Sequence, residues 1–175
     1  MPDSLRGQLL IASPALSDLF RRSVVLVLEH GEEGALGVVL NRPSEHRVAD
    51  AVPALADLAT DEDLLHVGGP VAPSGVIALG EFEDADDADR PVVGSVGVVD
   101  PDRREVPLRR LRVYAGHAGW APGQLEGELE QDAWFLERAD AQDPFRESDL
   151  WVETLRRKGG DYALLARMPA HPSLN

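Results

Sequence analysis

The sequence contains no cysteine among its 175 residues. This absence excludes disulfide bonds, thiolate nucleophiles and cysteine-based zinc sites. Positive charge is also scarce, because 17 lysine and arginine residues face 31 aspartate and glutamate residues and the formal net charge is −14 at pH 7. A surface this acidic repels phosphate groups, which argues against direct binding of DNA or RNA and against anionic membrane surfaces.

Long apolar runs are absent as well. No stretch of 18 uninterrupted apolar residues is present to span a bilayer. The amino terminus also lacks the basic segment and apolar stretch of a signal peptide. We therefore predict a cytoplasmic protein without a membrane partner. The length suits one domain with a core of ordinary size, and we predict a single domain over residues 1–175.

What the sequence does contain is a pair of continuous apolar runs. Residues 23–28 and 37–40 are rich in valine and leucine, and the polar segment 29–34 between them predicts a β-hairpin. Neither run alternates apolar and polar residues, so both faces should be covered and the hairpin should lie at the centre of a sheet. Pro43 cannot donate to a ladder and should end the second strand. The residues expected to be buried are Val24, Val25, Leu26, Val27 and Val39.

The rest of the chain mixes further short strands with a few helices. Strands are predicted over residues 5–12, 64–67, 75–80, 91–99, 111–115, 133–136 and 162–166. Helices are predicted over residues 53–58, 122–129 and 148–158. Four aspartates within residues 81–90 predict a solvated or disordered loop. This mixture, with no regular βαβ alternation, predicts an α+β fold.

Three details of these helices are specific enough to check. Ser148 is the predicted N-cap of the last helix, and Trp151 and Leu155 form its predicted buried stripe. In the helix that follows Pro122, the side chains of Glu126 and Glu128 are predicted to face outward.

Several short segments occur in an order that resembles the bacterial YqgE/AlgH family. These segments are residues 7–14, 22–26, 29–30, 37–43, 68–71 and 119–126, together with the tail 172–175. The resemblance implies a coiled, bifurcated and mostly antiparallel β-sheet with a few short helices packed on it. It also implies a small cytoplasmic protein without agreed catalytic residues, although some members carry a transcriptional-regulator label. His117 departs from the pattern, since members usually have an aromatic residue there.

Two of these segments carry side chains that a turn does not need. We predict that Arg42, Trp120 and Gln124 border one ligand pocket, with Asn41 and His117 beside it. Arg42 would supply a fixed charge, Trp120 a flat apolar wall and the nearby helix start its free N–H groups. Such a pocket suits a small anionic molecule. The alternative is that Trp120 fills the core and Arg42 pairs with an acidic residue.

Three other arrangements are weaker. Ser23 and His30 could belong to a hydrolase triad, but the Gly-x-Ser-x-Gly elbow is missing. His30, His66 and His117 could bind a metal, but their spacing matches no zinc pattern. Residues 68–75 are rich in glycine, but they lack the lysine of a phosphate-binding loop.

We therefore predict no catalytic residues, no metal and no cofactor. The predicted function is non-catalytic binding or regulation, with a small anionic molecule or a protein as the partner. A hydrolase-like enzyme, or a transcriptional regulator that acts without touching DNA, is the alternative. The sequence leaves the oligomeric state open.

Overall fold

The structure is a computed structural model that describes residues 4–16, 20–103 and 106–168. The tail motif at residues 172–175 lies outside the described residues. The strands are β1 (Gln8–Ala12), β2 (Val24–Gly31), β3 (Gly34–Val39), β4 (Pro43–Arg47), β5 (Leu64–Val67), β6 (Val71–Phe82), β7 (Arg90–Val93), β8 (Val96–Val98), β9 (Leu108–Trp120) and β10 (Trp134–Arg138). The helices are α1 (Val48–Ala51), α2 (Gln124–Glu130), α3 (Leu150–Lys158) and α4 (Asp161–Leu165). Single 3-10 turns cover Pro53–Leu55, Ala85–Asp87 and Asp143–Phe145. No helix in the described ranges is long and apolar enough to cross a membrane.

The strands join into one sheet that divides at β9. Its order is β10-β1-β2-β3-β9-β6-β8-β7, and β4 and β5 form a branch that joins β9. The end of β9 pairs with β3, through Ala118 opposite Gly37, whereas its middle pairs with β5, through Tyr114 opposite His66. Among the described strand pairs only β5–β9 is parallel. This arrangement confirms the predicted α+β fold, with a mostly antiparallel sheet and a few short helices.

Glycines allow the two branches to meet at β9. A Cβ atom on Gly116 would lie 2.3 Å from the carbonyl oxygen of Gly69, and one on Gly69 would lie 2.2 Å from the carbonyl carbon of His117. Gly116 also has a φ of +74°, which favours glycine. This kink breaks the alternation of β9, so Tyr114 and Ala118 pack on opposite faces of the sheet.

The central hairpin is formed by β2 and β3, and its predicted burial is confirmed. Val24, Val25, Leu26 and Val27 are fully buried, and Val39 is 2% exposed. The two strands pair directly as antiparallel neighbours in the middle of the sheet. A continuous apolar run is therefore explained here by a strand that is covered on both faces.

Two cores lie on opposite faces of the hairpin. The α3-side core contains Val24 and Leu26 together with Trp151 of α3. The α2-side core contains Val25, Val27 and Trp120, among others. A third core, which we call the α1-side core, packs α1 and the turn after it against β6 and β9. Its members are Val48, Leu55, Ala78, Phe82, Val99, Leu111 and Val113.

The predicted closing strand at residues 162–166 is wrong, because this segment belongs to α4. The Tyr162 ring packs edge-on against Phe135 with 4.9 Å between centroids, and the Lys158 ammonium lies 4.7 Å from the Tyr162 centroid. The chain turns at Gly159–Gly160, and no residue within α4 is fully buried. A five-residue apolar run fits either element, and alanine and leucine favour a helix.

Two other strand and loop assignments need correction. Residues 91–99 were predicted as one strand, but they form the hairpin β7–β8, with Gly94 in its turn at a φ of +53°. Residues 81–90 were predicted as a solvated or disordered loop, but Glu81 and Phe82 complete β6. Glu81 accepts two hydrogen bonds from Arg110, both at 3.2 Å. The acidic composition therefore concealed an inward-facing ion pair.

The helix boundaries also differ from the prediction. The predicted helix over 53–58 is a single 3-10 turn, preceded by the unpredicted α1. The N-cap of α3 is Asp149, whose carboxylate accepts a hydrogen bond from the Val152 N–H at 3.2 Å, whereas the Ser148 hydroxyl donates to Glu153. Trp151 and Leu155 are buried as predicted.

Candidate functional site

Asn41 and Arg42 hold the start of the central hairpin. The Asn41 side chain accepts a hydrogen bond from the Val24 N–H at 3.0 Å and donates one to the Arg22 carbonyl at 2.9 Å. The Arg42 guanidinium donates to the Arg21 carbonyl, and burial lowers its pKa from the usual value. Both side chains hydrogen-bond to backbone groups, and these bonds connect the segment before β2 to the end of β3.

Trp120 and Gln124 meet at a polar cluster centred on Glu128. The indole N–H groups of Trp120 and Trp134 both donate to Glu128 Oε1, at 3.1 and 2.9 Å, and Gln124 Nε2 donates to Oε2 at 2.9 Å. We call these four residues the Glu128 cluster. The prediction that Glu128 faces outward is wrong, because its carboxylate fastens α2 to β9 and β10.

The Glu126 side chain stays 42% exposed, in keeping with its predicted outward orientation, but its carboxylate also meets His30. His30 Nε2 lies 3.1 Å from Glu126 Oε1, and His30 Nδ1 accepts a hydrogen bond from the Leu5 N–H at 3.0 Å. Because Nδ1 accepts, the neutral ring carries its hydrogen on Nε2 and donates it to Glu126. His30 therefore links α2 to the segment that precedes β1.

The predicted ligand residues form two pairs, Asn41 with Arg42 and Trp120 with Gln124, and these pairs lie at different places along β9. The Val67 N–H donates to the Arg42 carbonyl at 2.8 Å, and Val67 is paired with Ala115 of β9. Trp120 is five residues further along that strand, beyond the kink at Gly116, and is paired with Ala35 near the start of β3, whereas Arg42 follows the end of β3. The structure brings each pair together but does not place the two pairs at one pocket. Ligand binding by either pair stays a prediction.

His117 borders a different space. It lies on β9 opposite Val71 and lines a mostly apolar cavity of about 430 Å³ together with Glu29 and Arg90. The other four predicted ligand residues, all within the described part of the chain, do not line this cavity.

The geometry excludes the triad predicted from Ser23 and His30. Ser23 immediately precedes β2, and its fully buried hydroxyl donates to the Phe20 carbonyl at 2.7 Å. His30 is seven residues further along the same strand, which corresponds to about 23 Å at the usual rise. Ser23 and His30 therefore cannot form a triad. Within residues 4–16, 20–103 and 106–168, no group of three or more histidine, aspartate or glutamate side chains is placed to hold a metal ion.

A polar cavity of about 170 Å³ lies where the β4–β5 branch meets β9 and the segment before α3. We call it the His66 cavity. It combines a histidine, two arginines and three carboxylates with amide, hydroxyl and apolar groups. The lining residues are Leu40, Asn41, Pro43, Glu62, Asp63, Leu64, His66, Leu111, Arg112, Arg146, Glu147 and Ser148.

His66 is the buried ionisable group of this cavity. Burial, reinforced by the positive charge of Arg112, lowers the pKa of His66 to about 4. The ring is therefore neutral at pH 7. Its Nδ1 lies 3.1 Å from the Leu64 carbonyl oxygen, and because a carbonyl only accepts, Nδ1 carries the hydrogen and Nε2 is left as an acceptor.

The two arginines of the cavity have different surroundings. Arg146 hydrogen-bonds to Asp140 and Asp143 and pairs with Glu153 at 3.4 Å. Arg112 pairs with Glu147 at 3.1 Å, but the Arg112 side chain is 15% exposed whereas that of Glu147 is 89% exposed. The partner of Arg112 is therefore largely in solvent, while the guanidinium is mostly withdrawn from it.

Tyr114 packs behind His66, with the two rings edge-on and 5.7 Å between centroids. Its side chain is fully buried, and its hydroxyl has no hydrogen-bond partner among the described residues. Burial raises the pKa of this hydroxyl, so it stays protonated at physiological pH. Tyr114 thus separates the polar cavity from the α3-side core.

Comparison with known proteins supplies the family. The AlgH-like family model, DUF179, matches residues 9–163. The chain belongs to the AlgH-like family. The UPF0301 protein SCO2948 of Streptomyces coelicolor is 44% identical over 186 aligned positions, which cover 98% of this chain and 96% of that protein. A UPF0301 protein of Nocardia farcinica is 41% identical, with 97% of this chain and 85% of that protein covered.

Solved structures agree with this assignment. The crystal structure of protein DIP2367 from Corynebacterium diphtheriae is similar with a TM-score of 0.82 and 30% identity, covering 92% of this chain and 91% of that one. The solution structure of AlgH from Pseudomonas aeruginosa gives a TM-score of 0.71 and 27% identity, covering 98% and 97%. The family resemblance drawn from the motifs is confirmed.

In this AlgH-like protein two of the motifs that carried the resemblance connect elements of the fold. Residues 119–126 supply the Glu128 cluster with Trp120 and Gln124, and residues 37–43 supply Asn41. The His66 cavity was missed as a site. Its sequence signal was available, since Arg112 stands between two apolar residues within a predicted strand, and a cation in such a strand needs a polar neighbour.

Proposed function

We propose that this AlgH-like protein binds a small molecule with a single negative charge in the His66 cavity and catalyses no reaction there. The observation that carries the proposal is the unequal Arg112–Glu147 pair. An exposed carboxylate contributes little to such a pair. A ligand carboxylate inside the cavity would meet the same guanidinium with less competing water, where a charge-assisted hydrogen bond is stronger.

The other lining residues narrow the ligand class. Glu62 and Asp63 also face the cavity, so a multiply charged anion would be repelled. The neutral His66 ring offers an acceptor at Nε2, which favours a ligand with a hydroxyl or N–H group near its negative charge. A small hydroxy acid or an amide-bearing monocarboxylate has this combination.

The surroundings support binding rather than catalysis. A histidine with a pKa of about 4 is a weak base at neutral pH. The Ser148 hydroxyl donates to Glu153 at 2.8 Å, so it is engaged outside any catalytic pair. No observation favours the hydrolase alternative. The proposal includes a regulatory role without DNA contact and a cytoplasmic location, in keeping with the net charge of −14.

The experiment is an NMR titration with lactate, acetate and benzoate as single-charge probes and with citrate and inorganic phosphate as multiply charged comparators. We expect saturable shifts of the Arg112 side-chain N–H and the His66 ring with at least one monocarboxylate. Because a His66 ring with a pKa of about 4 is neutral above pH 6, the affinity should be constant between pH 6 and pH 8, where the probe carboxylates are ionised.

Arg112→Gln tests the assignment of the charge. We expect it to weaken binding at least about tenfold, in line with the loss of one charge-assisted hydrogen bond. Arg109→Gln is the matched control, because Arg109 is an exposed arginine on the same strand, and it should leave the affinity unchanged. The absence of saturable shifts for all three monocarboxylates, or equal binding by Arg112→Gln, would overturn the proposal.

A further inference from the structure

One side of β6 is only partly covered by its neighbour. The strand spans Val71–Phe82 and pairs with β9 along its length, apart from a bulge between Val71 and Val76. On the other side β8 pairs with Leu79–Glu81 only, and the Val99 N–H adds a bond to the Ala78 carbonyl at 2.9 Å. No described strand pairs with that side of residues 71–77.

Pro101 explains why the pairing stops. Gly80 is opposite Gly97 in the antiparallel register, so a longer β8 would bring Pro101 opposite Val76. Proline has no N–H to donate to a ladder. The chain instead turns at Asp100, whose carboxylate accepts a hydrogen bond from the Asp102 N–H at 2.9 Å. The edge of β6 is therefore uncovered because the chain turns away from it at Asp100 and Pro101.

Val76 directs its backbone groups toward the uncovered edge. The Ala78 carbonyl accepts from Val99, and the Phe82 N–H donates to the Ser95 carbonyl at 2.8 Å. Even-numbered residues here thus face β8, and Val76 is in phase with them. Its side chain is 41% exposed. An apolar edge that offers free N–H and C=O groups is a template for another strand.

A cavity lies on each face of this edge. The cavity of about 430 Å³ extends the α3-side core and is lined by Leu28 and Leu36. A second cavity of about 340 Å³ extends the α1-side core and is lined by Leu55 and Val99. Val76 borders both. Because successive side chains of a strand point to opposite faces, a strand added here would place alternate side chains in the two cavities.

We propose that the Val76 edge binds an extended, basic segment of another protein by strand addition. The charged residues lining the two cavities are Glu29, Asp89, Asp100 and Arg90, with His117 beside them; Arg90 pairs with Glu29 and Arg103 with Asp89, whereas the Asp100 carboxylate accepts a hydrogen bond from a backbone N–H. The whole chain carries −14, so a second copy is repelled and a lysine- or arginine-bearing segment is attracted. This site is independent of the His66 cavity.

Two synthetic peptides test the proposal. Both contain the β-branched run VTVIV, which offers side chains to both cavities, and they differ in their flanks: KKVTVIVKK is basic and EEVTVIVEE is acidic. We expect the basic peptide to bind with a Kd below about 1 mM, an affinity suited to a short unconstrained segment. The acidic peptide should bind at least tenfold more weakly. Binding is followed by NMR shifts of the Val76, Ile77 and Ala78 amides.

Variants of the edge separate strand addition from attraction to an acidic surface. Val76→Lys adds charge at the edge, and Val76→Pro removes the outward N–H without breaking the ladder to β9. Each should weaken binding of the basic peptide at least tenfold, while circular dichroism and the thermal melt show that the variant is folded. Val67→Lys is the control, because Val67 is similarly exposed but lies on β5, and it should bind as the unmodified protein does.

Four results would overturn the proposal. The first is no binding of the basic peptide at about 1 mM, above the range expected for a specific segment. The second is equal binding of the two peptides, and the third is binding that folded Val76→Lys and Val76→Pro leave unchanged. The fourth is a concentration-dependent dimer in sedimentation that Val76→Lys dissociates, since the occupant would then be a second copy.

Discussion

The Glu128 cluster and the His66 cavity are both polar sites beside β9, yet their hydrogen bonding differs. In the Glu128 cluster one carboxylate receives two indole N–H groups and one amide N–H group. In the His66 cavity Arg112 pairs with the mostly solvated carboxylate of Glu147, and the Nε2 atom of His66 is an acceptor. The first carboxylate receives all three of these hydrogen bonds from the chain itself, whereas the second site leaves available the guanidinium and the acceptor that the proposed ligand would use.

The number of hydrogen bonds that a polar group already makes within the protein distinguishes a structural role from a capacity to bind a ligand. A buried polar group that already has all its partners rigidifies the fold and gains nothing from a ligand. Tryptophan and glutamine in a glycine-marked motif predict a ligand site from sequence, and in the structure they brace a helix; ligand binding by them stays a prediction. His66 and Arg112 of the cavity belong to no recognisable sequence motif, although their hydrogen bonds within the protein leave groups that a ligand could use.

The largest effect should follow from removing the centre of the Glu128 cluster. Glu128→Ala leaves the buried indole N–H groups of Trp120 and Trp134 without their acceptor, and we expect the free energy of unfolding to fall by about 2 to 5 kcal/mol. Urea denaturation measures this loss. Glu130→Ala, at an exposed position of the same helix, should change stability little. A loss no larger than that of Glu130→Ala would show that the cluster does not brace α2.

The next effect concerns the pH dependence of stability through His66. Its pKa is about 4 in the folded protein and near 6.5 in an unfolded chain, so the unfolded state binds more protons between these values. The stability that this residue contributes is fully present above pH 6.5. It should be lost progressively as the pH falls from 6.5 to 4, by as much as about 3 kcal/mol.

Denaturation at a series of pH values measures this slope, and His66→Gln should flatten it. His46→Gln is the control, because His46 is an exposed histidine. Asp143 acts at lower pH. Burial alone would raise its pKa, but hydrogen bonds from Arg157, the Asp140 N–H and Arg146 hold that pKa below its usual value. Its contribution is therefore lost only below about pH 4. If His66→Gln leaves the slope of stability between pH 6.5 and pH 4 unchanged, the assignment of that slope to His66 is wrong.

Arg112→Gln should have a smaller effect on stability than either change above. The pair that it breaks has one exposed partner, so we expect a loss below about 1 kcal/mol in the absence of ligand. The comparison is sharpened if the same substitution abolishes carboxylate binding in the titration. A loss comparable to that of Glu128→Ala would instead make Arg112 a bracing residue.

The smallest effect is expected at Tyr114, between the cavity and the core. Tyr114→Phe removes a buried hydroxyl without a protein partner, and we expect stability to be unchanged or to rise by up to about 1 kcal/mol. Thermal and urea unfolding check this. A clear loss of stability would show that the hydroxyl is hydrogen-bonded in solution.

The central hairpin was predictable because its evidence is local. Five buried residues and the pairing of β2 with β3 follow from two apolar runs and a short polar connection. The segment at 162–166 was not predictable in the same way, since five apolar residues suit a helix or a strand. The β7–β8 hairpin was concealed because Gly94 marks a turn only when its positive φ is known.

The candidate site was less predictable than the fold. The inward turn of Glu128 depends on Trp134 of β10, and the charge balance of the His66 cavity depends on Glu147, 35 residues beyond Arg112. Neither contact has a local sequence signature. The predicted pocket assumed that two motifs near β9 would share one space, but a strand of 13 residues is long enough to keep them apart.

The pairing of β1 with β10 determines how late the sheet can be completed while the chain is being synthesised. Gln8 is opposite Arg138 and Ala12 is opposite Trp134, so the first strand waits for its outer neighbour until most of the chain has been made. At about 5 to 20 residues per second the interval is roughly 6 to 25 seconds on the ribosome. During that time β1 exposes a free edge, and a nascent-chain chaperone would have its best opportunity to act before β10 emerges.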